Sequence, residues 1–143
     1  MAAGDVTVFN KFRETMADGT HDLDTHVLKI GFVNNTLVPV ATQATPSWTT
    51  YSANETTGAG YTTGGETLTV TWGPDDGTNT DLALTSAVAL TQNGSGPTNI
   101  YYGIIYNDTA AGDEAIAFLD MGGPISLQDG DITINTGNIF TIA

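Results

Sequence analysis

From Thr25 onward the apolar residues of this chain recur at every second position, and turn residues interrupt them every few steps. In 25–33, His26, Leu28, Ile30 and Phe32 share one face. In Thr67–Trp72, Leu68, Val70 and Trp72 alternate with three threonines. A period of two puts one side of a strand in a core and the other in water, and no helix can satisfy it. Leu82, Leu84, Val88 and Leu90 mark a further strand, followed by turn residues at Gln92–Pro97. Ile100–Tyr106 is apolar on both faces, which predicts a central strand. Glu114–Met121 reads as its neighbour, and Asn138–Ile142 as a closing strand. Ile125–Leu127 and Ile132–Ile134 flank Asp129-Gly130, a hairpin signal.

The exception lies at the start. Phe9, Phe12 and Met16 are spaced at i, i+3, i+7, with Lys11, Arg13 and Glu14 on the opposite side. This predicts a short helix at about 8–18, capped by Asp5 or Thr7 and closed by Gly19. Residues 34–65 form a long polar excursion with room for one short strand near Trp48. A stretch that long suggests an assembly contact or another functional role. The expected fold is therefore all-β: an antiparallel β-sandwich or jelly roll of seven or eight short strands with one short N-terminal helix. A single domain spans 1–143, long enough to bury roughly two-thirds of its unfolded surface.

Charge narrows the partners. Sixteen acids face three bases, a net charge of −13, and Lys11, Arg13 and Lys29 are all the bases there are. A surface of this kind repels phosphate, which argues against nucleic acid and anionic membranes as partners and favours a protein partner of complementary charge. There is no cysteine, so disulfides and thiolate metal sites are excluded. No basic segment followed by an apolar run marks a secretory signal, and none of the apolar runs is long enough to span a bilayer. Synthesis in a cytoplasm is the matching expectation.

Candidate chemistry is sparse. The turn Asp75-Asp76-Gly77-Thr78-Asn79-Thr80-Asp81 offers oxygens to Ca²⁺, but its spacing departs from a calcium loop and it reads as a solvated turn. His21 and His26 could share a metal, yet on an extended segment residues five apart point to opposite faces. Asn93-Gly94-Ser95-Gly96 lacks the first glycine of a nucleophile elbow. The Asn-x-Ser/Thr triplets at Asn34, Asn54, Asn93 and Asn107 read as coincidence in a chain rich in these residues. No catalytic residue, cofactor or metal is assigned, and the chain is not read as an enzyme. The run Tyr51–Leu68 is the densest in glycine and hydroxyls, with glycines wherever the backbone needs positive φ.

Taken in order, Val8–Phe12, Gly19–Thr25, Val27–Lys29, Ser52–Glu55, Gly60-Tyr61, Gly64-Gly65, Tyr102–Asp108, Ala115–Gly122, Gly130–Ile134 and Ile139–Ile142 form a recognisable pattern. It resembles the short virion structural proteins of tailed bacteriophages, and the head decoration or cement proteins in particular. The resemblance implies binding to the major capsid protein on the outer surface of a phage head. No catalytic residue transfers with it. A homotrimer on the shell is the expected oligomer, since a trimer at a quasi-three-fold point bridges three capsomers and lets weak contacts act together. Lys11, Arg13, Lys29, Asn54, Glu55, Tyr61, Gly64 and Gly65 become the candidate assembly contacts. The competing expectation is a glycan-binding, host-recognition module on a tail or fibre, which would present Trp48 or the tyrosines in a groove.

Overall fold

A computed structural model describes residues 6–73 and 80–142. The fold is all-β and antiparallel, and among the described residues it has ten strands rather than seven or eight. A five-stranded sheet contains, in spatial order, β1 (Val6–Val8), β8 (Ala115–Ile125), β7 (Ile100–Asn107), β2 (Leu28–Val33) and β3 (Glu66–Thr67). A three-stranded sheet is ordered β10 (Gly137–Ile142), β5 (Thr80–Leu84), β4 (Val70–Trp72). A two-stranded sheet pairs β6 (Val88–Leu90) with β9 (Ile132–Ile134). β7 is central, between β8 and β2, as its two apolar faces predict.

The helix α1 (Asn10–Ala17) occupies the expected place and buries the expected face: Phe9 and Phe12 are buried and Met16 is partly so. Its cap differs. Thr7 belongs to β1, Asp5 lies outside the described residues, and the N-cap is Phe9, which makes no side-chain cap bond. The Asn10 N–H is instead satisfied by the Ala41 carbonyl at 2.8 Å. Gly19, at φ +83°, ends the helix as anticipated.

Other boundaries move for long-range reasons. Thr67–Trp72 is split at Leu68-Thr69, where the chain leaves the five-stranded sheet and enters the three-stranded one. Leu68 stays buried at the crossing, in a core fed by both sheets: Ile30, Ile105 and Leu119 from one, Leu82, Leu84 and Ile139 from the other. The segment Thr80–Leu90 is two strands, not one. The hairpin expected around Asp129-Gly130 does not form, because Ile132–Ile134 pairs with Val88–Leu90 while Ile125 ends β8.

The excursion 34–65 has a structural purpose. The five-stranded sheet is apolar on both faces, and its second face would meet water without a cover. Phe9, Trp48 and Tyr51 cover it, packing on Val33, Ile104, Tyr106, Ala115 and Phe118. Trp48 stacks on Tyr106 with ring centroids 5.0 Å apart and planes 6° from parallel. The indole lies so close over Gly31 that a Cβ there would fall 2.2 Å from it. The segment near Trp48 is not a strand but a one-turn helix, α2 (Trp48–Tyr51), followed by a 3-10 turn over Ser52–Asn54. Ser47 caps α2 by accepting from the Thr50 N–H at 3.2 Å.

Tyr51 carries the weak point of this second core. Its ring is fully buried and stacks near Phe9, but its hydroxyl has no hydrogen-bond partner among the described residues. Burial pushes the phenol pKa up to about 12. A buried, unpaired hydroxyl costs about 1 kcal/mol or more. Tyr51→Phe is thus expected to raise stability by about 1 kcal/mol in urea unfolding. A loss of that size would show that the hydroxyl is paired in solution.

Candidate functional site

The glycine-rich run folds into a clasp against β2. The Glu55 carboxylate is its centre: Oε1 accepts from the Tyr61 hydroxyl and from the Gly64 N–H, both at 2.7 Å. Tyr61 Oη in turn accepts from the Phe32 N–H at 3.1 Å, and Thr56 N–H donates to the Phe32 carbonyl at 2.9 Å. The Tyr106 hydroxyl reaches from β7 to donate to the Gly64 carbonyl. Asn54 contributes its backbone carbonyl, which accepts from Asn34 N–H at 3.0 Å. Burial drives the Tyr61 and Tyr106 phenols far above the ordinary range, and the neighbouring acids add to it, so both remain donors at any physiological pH.

The backbone demands anticipated for this run are met at Gly64 and Gly65, with φ +91° and +102°. They differ in surroundings. A Cβ on Gly64 would meet open space, whereas one on Gly65 would lie 2.7 Å from the Ile30 carbonyl oxygen. Of the candidate contacts, Tyr61 and Gly65 are buried, while Glu55, Asn54 and Gly64 are half-buried. They shape the loop, and the side chains it presents outward are Ala53, Thr57, Ala59, Thr62 and Thr63.

A second constellation was read only as scattered residues. His21 and His26 do converge, contrary to the extended-strand expectation. Residues 21–26 are a turn, closed by the His26 N–H donating to the Asp22 carbonyl at 2.8 Å, and β2 begins only at Leu28. What the imidazoles meet is Asn107, at the end of β7 and 0% exposed. Its Oδ1 accepts from the Thr109 and Ala110 N–H groups, each at 3.1 Å. That assignment turns Nδ2 toward the rings, 3.0 Å from His21 Nδ1 and 2.9 Å from His26 Nδ1. An amide nitrogen has two hydrogens and no lone pair to offer, so both Nδ1 atoms accept and both rings carry their proton on Nε2. His21 Nε2–H then donates to Thr15 Oγ1 at 3.0 Å, and the Thr15 hydroxyl donates to the Phe12 carbonyl at 3.2 Å. Burial holds the His21 pKa below the usual imidazole range.

Thr15, His21 and Asn107 follow the order of a nucleophile–base–orienter triad, but the proton is in the wrong place. A general base needs a free lone pair on the nitrogen facing the hydroxyl, and here that nitrogen is the donor. The arrangement ties α1, the turn and β7 together without activating Thr15. In the sequence Asn107 stands in a glycosylation triplet and in the Tyr102–Asp108 segment of the resemblance, neither of which points to the histidines. The available signal was an Asn-Asp-Thr run directly after an apolar strand, the make-up of a side-chain-closed turn.

The three bases are spread along the first elements. Lys11 pairs with Glu14 at 2.7 Å and Lys29 with Asp108 at 2.9 Å. Arg13 is exposed on α1 and makes no ion pair among the described residues. Beside the start of α1, the strap ending at Ala41 exposes Val38 and Val40, at 51% and 47%. Of the acidic turn considered for Ca²⁺, residues 75–79 lie outside the described residues, and Thr80 and Asp81 belong to β5. Among the described residues no group of three or more His, Asp or Glu side chains is placed to hold a metal, and no helix is long and apolar enough to cross a membrane.

A cavity of about 450 Å³ opens between the sheets, walled by Ile30, Leu68, Leu84, Ile105, Leu119 and Ile139. Asp120 is the one carboxylate on its wall, and its Oδ1 already accepts from the Gly122 N–H at 2.8 Å. Among the aromatic rings, Trp48 is 7% exposed, Tyr106 is buried beneath it, and Trp72, Tyr101 and Tyr102 are half-buried. Comparison with protein-family models, with curated proteins and with solved structures finds no match to this chain.

Proposed function

We propose that this protein decorates the outside of a tailed-phage head, binding the major capsid protein and stabilising the assembled shell. The observation that carries the reading is how the segments that resemble decoration proteins meet one another. Gly19–Thr25 closes on Tyr102–Asp108 through Asn107, and Ser52–Gly65 closes on β2 and β7 through Glu55, Tyr61 and Tyr106. The resemblance thus follows the contacts that make a rigid module. Such a module, strongly acidic and presenting short hydroxyl and alanine side chains on an ordered loop, suits a static protein contact more than chemistry.

Mass action supplies the mechanism, since a partner that binds only the mature shell raises that shell's stability. Three copies joined at a point between capsomers would let modest contacts act together through effective concentration. Ala87 and Ala89 are exposed on and beside β6, and Ala83 is half-buried on β5, leaving room for close approach of a neighbour. Particles stripped of the protein are expected to lose DNA at a lower temperature and to recover on add-back. Unchanged melting and DNA retention would remove the proposal.

The least negative end of the molecule carries Lys11, Arg13 and Lys29, so it is the natural face for an acidic patch on the shell. Reversing charge at Lys11 and Arg13 is expected to weaken shell binding most at low salt and to flatten its salt dependence. An unaltered salt dependence would show that another face docks.

A further inference from the structure

We infer that Asn107 and its two imidazoles form an acid-sensitive latch: with both Nδ1 atoms accepting from Asn107 it holds the turn 21–26 to the end of β7, and protonation of His21 releases that turn. The argument is one of donors and acceptors. Both hydrogens of Asn107 Nδ2 are spent on His21 Nδ1 and His26 Nδ1. A proton added at His21 Nδ1 makes that ring a double donor facing a donor. Asn107 cannot answer by rotating its amide, because Oδ1 is held by the Thr109 and Ala110 N–H groups. On its far side the His21 ring is held by Thr15 and faced by the Phe12 ring at 5.1 Å, so it cannot swing away without opening the packing against α1.

The charges around the rings act in both directions. Glu114, from the loop before β8, and Asp18, beyond α1, favour charge on His21, while desolvation and His26 oppose it, and desolvation is the largest influence. Asp22 lies beside His26 and donates its backbone N–H to His26 Nδ1 at 3.3 Å. Lys29 and Asp108 next to Asn107 neutralise each other as an ion pair. The sign follows from His21. Its pKa in the folded protein is below the unfolded value of about 6.5, so the latch contributes fully above that pH and is lost as pH falls below it. Opening frees the connection between α1 and β2, and it adds positive charge to the end that already holds Lys11, Arg13 and Lys29.

Nitrogen-15 NMR of the histidine rings reads the latch directly. At pH 7.5 both rings are expected to be protonated on Nε2 with Nδ1 accepting. Hydrogen exchange of the Thr25, His26 and Val27 amides, corrected for intrinsic rates, is expected to lose at least tenfold protection between pH 7.5 and 5.0, while β7 and β8 keep theirs. Asn107→Asp places a carboxylate oxygen where the amide nitrogen was, and is expected to invert the trend, protecting the turn best when the rings are charged. A ring protonated on Nδ1 at pH 7.5, or turn protection in the native chain that ignores pH over this range, would overturn the latch. So would an Asn107→Asp protein that folds and keeps the native direction. If that variant does not fold, the two measurements on the native chain decide alone.

Discussion

Gly65→Ala is expected to destabilise the protein by about 4 kcal/mol, a large share of what holds a domain of this size. Two costs add. At φ +102° any side chain strains the backbone by about 1–3 kcal/mol. The new Cβ would also sit 2.7 Å from the Ile30 carbonyl oxygen and 2.9 Å from its carbon, atoms of β2 that cannot step aside as a side-chain end could. The run must then lift from β2, which breaks the pairing of Lys29 and Ile30 with Thr67 and Glu66 and loosens the Glu55–Tyr61–Gly64 hydrogen bonds. Gly64→Ala is the internal control. Its φ is equally left-handed but its Cβ would meet nothing within 4 Å, so about 1–2 kcal/mol is expected. Urea unfolding of the pair checks the claim, and equal losses would mean the close approach at Ile30 is not rigid.

Asn107→Ala is the second large effect, at about 3–5 kcal/mol. It strands the Thr109 and Ala110 N–H groups and His21 Nδ1 in one step and leaves His26 Nδ1 only the Asp22 N–H at 3.3 Å, and each buried group left unpaired costs about 1–3 kcal/mol. Thr109 is exposed, so water recovers part of its share. Unfolding in urea at pH 7.5 measures the sum. A loss under about 1 kcal/mol would show that the groups find other partners and that the knot is not a structural centre.

How much of this was legible depends on which interactions are local. The period-two pattern located β2, the 3–4 spacing of Phe9, Phe12 and Met16 located α1, and a run apolar on both faces located β7, because burial is written into a short window. The same alternation concealed the break at Leu68-Thr69. It records which side faces the core, and both sheets face the same core, so the period runs on while the hydrogen-bond partner changes. The Asp129-Gly130 hairpin failed for a related reason: a turn signal is local, whereas the partner of Ile132–Ile134 lies more than forty residues back at Val88–Leu90. The helical turn at Trp48 starts at Ser47, an N-cap residue type whose side chain accepts from the Thr50 N–H, where the sequence suggests one short strand.

The candidate site divides the same way. Gly64 and Gly65 could be singled out because glycine has a backbone reason to be there, and their left-handed φ values bear that out. Glu55 and Tyr61 stood out through the resemblance, but the role of Tyr61 in accepting from the Phe32 N–H depends on a strand twenty-nine residues away, and that of Glu55 on the fold of the loop that brings the Gly64 N–H to it. The meeting of His21, His26 and Asn107 spans more than eighty residues, and no spacing rule anticipates it.

The proposed role on the shell is tested most directly by imaging particles that carry a label on this protein. Copies arrayed over the outside of the head, at points between capsomers, are the result the account predicts. Label confined to the tail or its fibres, or no label on intact particles, would contradict it.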